Sequence, residues 1–179
     1  MKYWLPVLAL LTCISLAAQP VLTAADLTPV FGTSIRYDSI GYIGPGPVGA
    51  NFTIDIANIV SVTIQDTSTV QVVVPSTTPY GTTFSAATYA LVNNSYSDAA
   101  YSYTSVDPVS LQDLGSEFSG SGVFRSNGIL NIQLPCTMGT SWTDTFNGSD
   151  LYASGAGEEN GTLIGQCNGY GTLILPFGP

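Results

Sequence analysis

The sequence predicts an all-β fold: a single antiparallel domain with little helix, either a β-sandwich or one strongly curved sheet. Three observations carry that prediction. Apolar and polar residues alternate with period two along most of the chain, which gives extended backbone one greasy face and one wet face. The 19 glycines and 11 prolines divide the chain into short runs, through loops such as Gly44-Pro45-Gly46-Pro47 and Pro75–Gly81. Only 8% of residues are charged, against about a quarter in ordinary soluble domains, so water-facing positions fall to Ser, Thr, Asn and Gly.

The elements follow in chain order. Residues 1–18 read as a secretory signal peptide: Lys2 supplies a positive start, Leu5–Leu16 an apolar run short for a bilayer span, and Ala17 and Ala18 a small-residue cleavage context. An uncleaved anchor, or lipidation at Cys13 behind Thr12, is a minor alternative. Residues 19–179 then form the all-β domain, with no transmembrane segment in the mature chain. Strands are expected at Ser34–Tyr42, Asn51–Ile56 and Val60–Gln65, where Phe52, Ile54 and Ile56, then Val60, Val62 and Ile64, share a face. Asp66-Thr67-Ser68 would turn the chain into Val70–Val74 to make a hairpin, which Pro75 ends. A second hairpin is expected where Gly122–Arg125 and Ile129–Leu134 flank Ser126-Asn127-Gly128, because Asn-Gly suits the positive φ angles of a tight turn. Further strands are expected at Tyr101–Val106, Ser141–Phe146, Gly161–Cys167 and Tyr170–Leu175. Ser85–Leu91 and Pro108–Leu114 have room for one or two helical turns, the latter with Asp107 as cap and Pro108 in the first turn.

Composition excludes several functions. Basic residues number 3 and acidic residues 12, a formal net charge of -9, and only Arg36 and Arg125 follow residue 18. Such a surface repels phosphate backbones and anionic membranes, so no nucleic-acid partner is expected. The chain has no histidine, which excludes nucleophile–histidine catalysis, and the mature part has no lysine for a serine–lysine variant. No cofactor is expected. An exported chain meets an oxidising compartment, so Cys136 and Cys167 are expected to form a disulfide; two separate buried thiols are the other reading.

The clearest candidate site is Trp142-Asp144-Phe146, whose side chains share one face of an extended strand. Aromatic faces stack on sugar rings and a carboxylate between them accepts hydroxyl hydrogen bonds, as in a carbohydrate site. Alternatively, the two aromatics anchor the core while a bulge turns Asp144 outward, or Asp144 is buried and needs a donor. Tyr101 and Tyr103 share a strand face and are further ligand-binding candidates. A glycosidase needs two carboxylates across one cleft, for which Asp55, Glu117, Asp144 and Glu158 are available. Asp150, Glu158 and Glu159 offer hard oxygens for calcium, in an order unlike an EF-hand loop, and a solvated acidic turn is the simpler reading. Asn-x-Ser/Thr sequons occur at Asn51, Asn93, Asn147 and Asn160, at a frequency composition alone explains, and Asp38-Ser39-Ile40 has a short bacterial O-glycosylation pattern.

The stretches GTSWTDTFNG (Gly139–Gly148) and GYGTLILPFG (Gly169–Gly178), with LTPVFGTSIRYDS before them, resemble a group of secreted β-rich proteins of Bacteroidota. Members usually carry a C-terminal sorting domain read by the type IX secretion system. The resemblance implies location rather than chemistry. Such proteins continue past the LPxG glycine, whereas this sequence stops at Pro179 without a sorting domain, so a fragment or a product exported by the general route is implied. Together these readings lead to the expectation of a secreted, non-enzymatic β-domain, periplasmic or extracellular, with a structural or adhesive role at the cell surface as part of a longer exported protein. A carbohydrate-binding module is the alternative. Glycans or other surface proteins are the partners either role implies.

Overall fold

The computed structural model describes residues 19–37, 46–57, 68–94, 98–150 and 158–175. These residues are mostly strand, with almost no helix, as expected. The elements are α1 (Ala24–Leu27), β1 (Ser34–Tyr37), β2 (Gly49–Asp55), β3 (Ser68–Val73), β4 (Tyr89–Asn93), β5 (Ala100–Asp107), β6 (Ser110–Phe118), β7 (Ser121–Gln133), β8 (Ser141–Asp150), β9 (Glu159–Gln166) and β10 (Gly169–Ile174). Eight strands make one antiparallel sheet in the order β1-β3-β4-β5-β6-β7-β8-β9. The remaining two pair in parallel, β10 with β2, as a separate ribbon. The expected antiparallel domain is present as the eight-stranded sheet, and the parallel pair is an addition to it. Parallel strands need a long crossover, and pairing between residues so distant in sequence leaves no local pattern.

Several expected elements are displaced. Val60–Gln65 lies outside the described residues, and both edges of β3 are taken by β1 and β4, so β3 does not form the expected local hairpin. The Asn127-Gly128 hairpin is also absent, because β7 runs through it as a single strand. Gly128 does take a positive φ of 65°, but the bend it makes is part of an irregular register against β6, where the ladder shifts between Leu111 and Gln112 and again between Asp113 and Gly115. The tight turn is instead Ser119-Gly120, between β6 and β7, with φ of 49° and 78° and the pair Phe118↔Ser121 closing it. Both central residues have positive φ, as a two-residue hairpin with the sheet's own twist requires.

Neither expected helix forms. Ser85–Leu91 runs into β4, whose Ala90 and Val92 are buried against the sheet. Pro108–Leu114 becomes a hairpin turn at Pro108-Val109 followed by β6. Asp107 caps as expected, but it caps a turn: its carboxylate accepts the Val109 and Ser110 N–H groups at 2.8 Å each and the Ser110 hydroxyl at 2.9 Å. These bonds, the Val109 N–H first, hold the Asp107 carboxyl below its ordinary range. Among the described residues the α-helix that does form, α1, is one turn long. The Asp26 carboxylate accepts the Thr23 N–H and hydroxyl at its start.

The sheet buries both faces under chain segments rather than under a second sheet. On one face Phe84, Ala90, Tyr103 and Leu114 form a cluster, covered by the Pro75–Thr88 segment through Phe84, Tyr80 and Ala87. Phe84 stacks on Tyr103 with ring centroids 4.0 Å apart and planes 5° apart. On the other face Val106, Leu134 and Cys136 are covered by Leu22, Ala24 and Leu27 of the N-terminal segment, by Trp142 and by Cys167. Adjacent residues Tyr89 and Ala90 belong to different clusters, as alternation along a strand demands.

Candidate functional site

Strand β8 is where the sequence concentrated its chemistry. Its ladder to β9 runs unbroken from Ser141↔Gln166 to Gly148↔Glu159, so no bulge turns Asp144 outward. Trp142, Asp144 and Phe146 share one half-buried face, while Ser141, Thr143, Thr145 and Asn147 are exposed. The two aromatics lie over glycines of the neighbouring strand. Trp142 sits opposite Gly165 and Phe146 opposite Gly161, and a Cβ at either glycine would run into the ring above it. The aromatic thus fills the space its cross-strand partner leaves empty.

Asp144 and Trp142 act together on the backbone of one residue, Leu130. Strands β7 and β8 share a backbone ladder only at Val123↔Asp150 and Phe124↔Ser149. Beyond that point side chains bridge the strands. The Asp144 carboxylate accepts the Leu130 N–H at 2.8 Å, and the Trp142 indole N–H donates to the Leu130 carbonyl at 3.0 Å. Asn127 adds two more bonds, donating to the Thr145 carbonyl at 2.7 Å and accepting the Asn147 N–H at 3.4 Å. A residue in a strand points its N–H and C=O to the same edge, so Leu130 would otherwise face β8 with both groups unmet. The carboxylate between two aromatics therefore closes a seam in the sheet.

Arg125 closes the seam's other end. Its guanidinium lies 3.2 Å from Asp113 of β6 and 2.7 Å from Glu159 of β9, and its Nε also donates to Glu159 at 3.0 Å. Its stem passes beside Gly148 of β8, where a Cβ would meet it at 3.2 Å. One cation thus ties strands on both sides of β8. The sequence signal was available, since Arg125 is one of two basic side chains after residue 18, but its partners lie 12 and 34 positions away.

The remaining candidates are dispersed. Tyr103 is 0% exposed, and its hydroxyl meets the Thr78 hydroxyl at 2.8 Å, so it belongs to the core. Burial raises its phenol above the ordinary range, and the Thr78 bond offsets part of that rise. Tyr101 stands edge-on to Tyr80, with centroids 6.1 Å apart. The two tyrosines, Asp98 and Glu117 line a cavity of about 460 Å³ beside the Ser119-Gly120 turn. Glu117 is only 4% exposed, and its carboxylate accepts the Gly120 N–H at 3.2 Å; Asp98 accepts the Ser119 hydroxyl at 2.8 Å. Of the acids considered for a glycosidase, Glu158 lines a different groove from Glu117, and Asp55 is exposed on β2. Of the calcium candidates, Glu159 is engaged by Arg125 and Asp150 stands in the β7–β8 ladder. Among the described residues no three His, Cys, Asp or Glu side chains converge to hold a metal ion. Residues 151–157, and Asp38-Ser39-Ile40, lie outside the described residues.

Cys136 and Cys167 are brought together, but as free thiols in place of the expected bridge. Burial, with the neighbouring Cys167 thiol, pushes the Cys136 thiol up. The Cys167 thiol lies 3.8 Å from the Gly169 carbonyl. No described helix is long and apolar enough to cross a membrane.

Compared with protein-family models, with curated proteins and with solved structures, the chain has no significant match.

Proposed function

We propose that this chain is an exported, non-catalytic β-domain with a structural or adhesive role at the cell surface. The observation that carries this reading is the bonding at Leu130. The acid and indole best suited to chemistry or sugar recognition are spent on holding β7 to β8. The rest of the reading rests on the leader-like residues 1–18, a chain without histidine, and a hydroxyl-rich outer face on β8. The test is protease shaving of intact cells expressing the tagged chain, paired with retention of those cells on a surface under flow. Loss of the tag on shaving and loss of retention on gene deletion are expected. A tag that resists shaving, with unchanged retention, refutes the proposal.

A second reading is favoured by the cavity beside Tyr101. Two tyrosine rings and two carboxylates suit a glycan-binding module better than the Trp142 face does. On a glycan array this reading requires binding that Tyr101→Ala abolishes and Asp144→Asn leaves intact.

A further inference from the structure

Three segments distant in sequence meet at a cleft of about 360 Å³ on the face covered by the N-terminal segment. Its walls are Pro20, Val21 and Leu22 of that segment, Cys136 and Met138 after β7, and Cys167 with Tyr170 where β9 passes into β10. All the sulfur-bearing side chains after residue 18 are therefore in this one cleft.

The backbone fixes where these sulfurs stand. Leu22 and Cys136 exchange both backbone hydrogen bonds, each 2.9 Å. Residues Thr137 to Thr140 make a tight turn, closed by the Thr140 N–H on the Thr137 carbonyl and by the Thr137 N–H on the Thr140 hydroxyl. That turn carries Met138 and clasps Cys167 from both sides: the Gly139 N–H donates to the Cys167 carbonyl at 2.7 Å, and the Cys167 N–H donates to the Thr140 carbonyl at 2.9 Å. The sulfurs are thus set on ordered backbone, in a cleft with apolar walls.

We propose that this cleft binds one Cu(I) ion between the Cys136 and Cys167 thiolates and the Met138 thioether. Thiolates and thioethers are soft donors, which select monovalent copper over hard cations. The only carboxylate in the cleft, Asp26, already accepts both Thr23 groups through one oxygen. Zinc is disfavoured, because structural zinc closes a shell of four nitrogen or sulfur ligands, and the chain has no histidine to join the three sulfurs. Binding is a plain exchange: Cu⁺ takes the place of two thiol protons, which leave to solvent, and no oxidation state changes.

The test is anaerobic titration of the reduced, purified chain with Cu(I) held by a colorimetric chelator. One equivalent should move from chelator to protein, with growth of a near-ultraviolet thiolate-to-copper band. Cys136→Ser should abolish the transfer. Met138 is 39% exposed, so Met138→Leu should fold normally and weaken uptake by about tenfold or more, at the scale on which metal sites respond to lost ordering groups. Three results overturn the proposal: copper that stays with the chelator, equal uptake by Met138→Leu, or a Cys136–Cys167 bridge that persists under the reductant.

Discussion

Asp144→Ala tests the seam between β7 and β8. The substitution removes the acceptor 2.8 Å from the Leu130 N–H and leaves that part-buried amide aimed at β8. Hydrogen bonds to charged groups contribute about 1.5–3 kcal/mol, and partial burial places this one near the lower end, at about 1.5–2 kcal/mol. For a domain of this size each kcal/mol is about 2–4 °C in Tm, so a fall of about 3–8 °C is expected. Asp144→Asn keeps an acceptor oxygen and should cost less than about 1 kcal/mol. Trp142→Phe keeps a ring over Gly165 but loses the donor to the Leu130 carbonyl, for about 1 kcal/mol. Both bonds end on the same residue, so the double variant should depart from additivity by about 0.5 kcal/mol or more. Urea titration with thermal melts reads all of these. The reasoning fails if Asp144→Ala lies within about 0.5 kcal/mol of wild type, or if Asp144→Asn costs as much as Asp144→Ala.

Three further outcomes are expected. Gly165→Ala puts a methyl into the Trp142 ring and should cost about 1–3 kcal/mol while shifting the emission of Trp142, the single tryptophan after residue 18. Arg125→Met leaves Asp113 and Glu159 without their shared cation, so its melting temperature should fall below wild type and the gap should narrow in high salt. Burial raises the Tyr103 phenol, so above about pH 10 the unfolded chain ionises first and binds fewer protons than the folded one. Stability is therefore whole below that pH and falls as pH climbs toward the folded value, and Tyr103→Phe should flatten this alkaline limb in a pH series of urea melts.

What could be read in advance was whatever depends on one strand alone. Alternation placed Phe52 and Ile54 on the half-buried side of β2, with Ile56 just beyond it also half-buried, and put Trp142, Asp144 and Phe146 on one face of β8, because the direction of a side chain follows from extended backbone without knowledge of the neighbour. Turn chemistry was read less well. Asn127-Gly128 has the better hairpin composition, yet the hairpin formed at Ser119-Gly120. There the β6–β7 ladder carries Phe118 opposite Ser121, and Asp98 holds the Ser119 hydroxyl. At Asn127 the amide is used across the seam to Thr145 and Asn147, so its polarity serves a neighbouring strand. A local propensity of a few tenths of a kcal/mol does not outweigh a register fixed by pairing along the whole strand.

The same distinction explains the candidate site. The composition of Trp142-Asp144-Phe146 is equally suited to gripping a sugar and to gripping a backbone, since both present hydroxyl-like or amide donors beside an apolar surface. Which one is gripped depends on what lies across from β8, and a strand's own sequence does not contain that. The deciding features are two glycines on β9, which let the rings lie flat, and the missing ladder bonds on β7, which leave Leu130 in need of a donor and an acceptor. Gly161 and Gly165 are the partial signal the sequence did carry. Small residues at two-residue multiples on one strand, facing aromatics at the same spacing on another, specify a cross-strand fit. Read as a pair, GTLIG on β9 and WTDTF on β8 predict rings buried against backbone, and with them a carboxylate committed to the sheet before any ligand arrives.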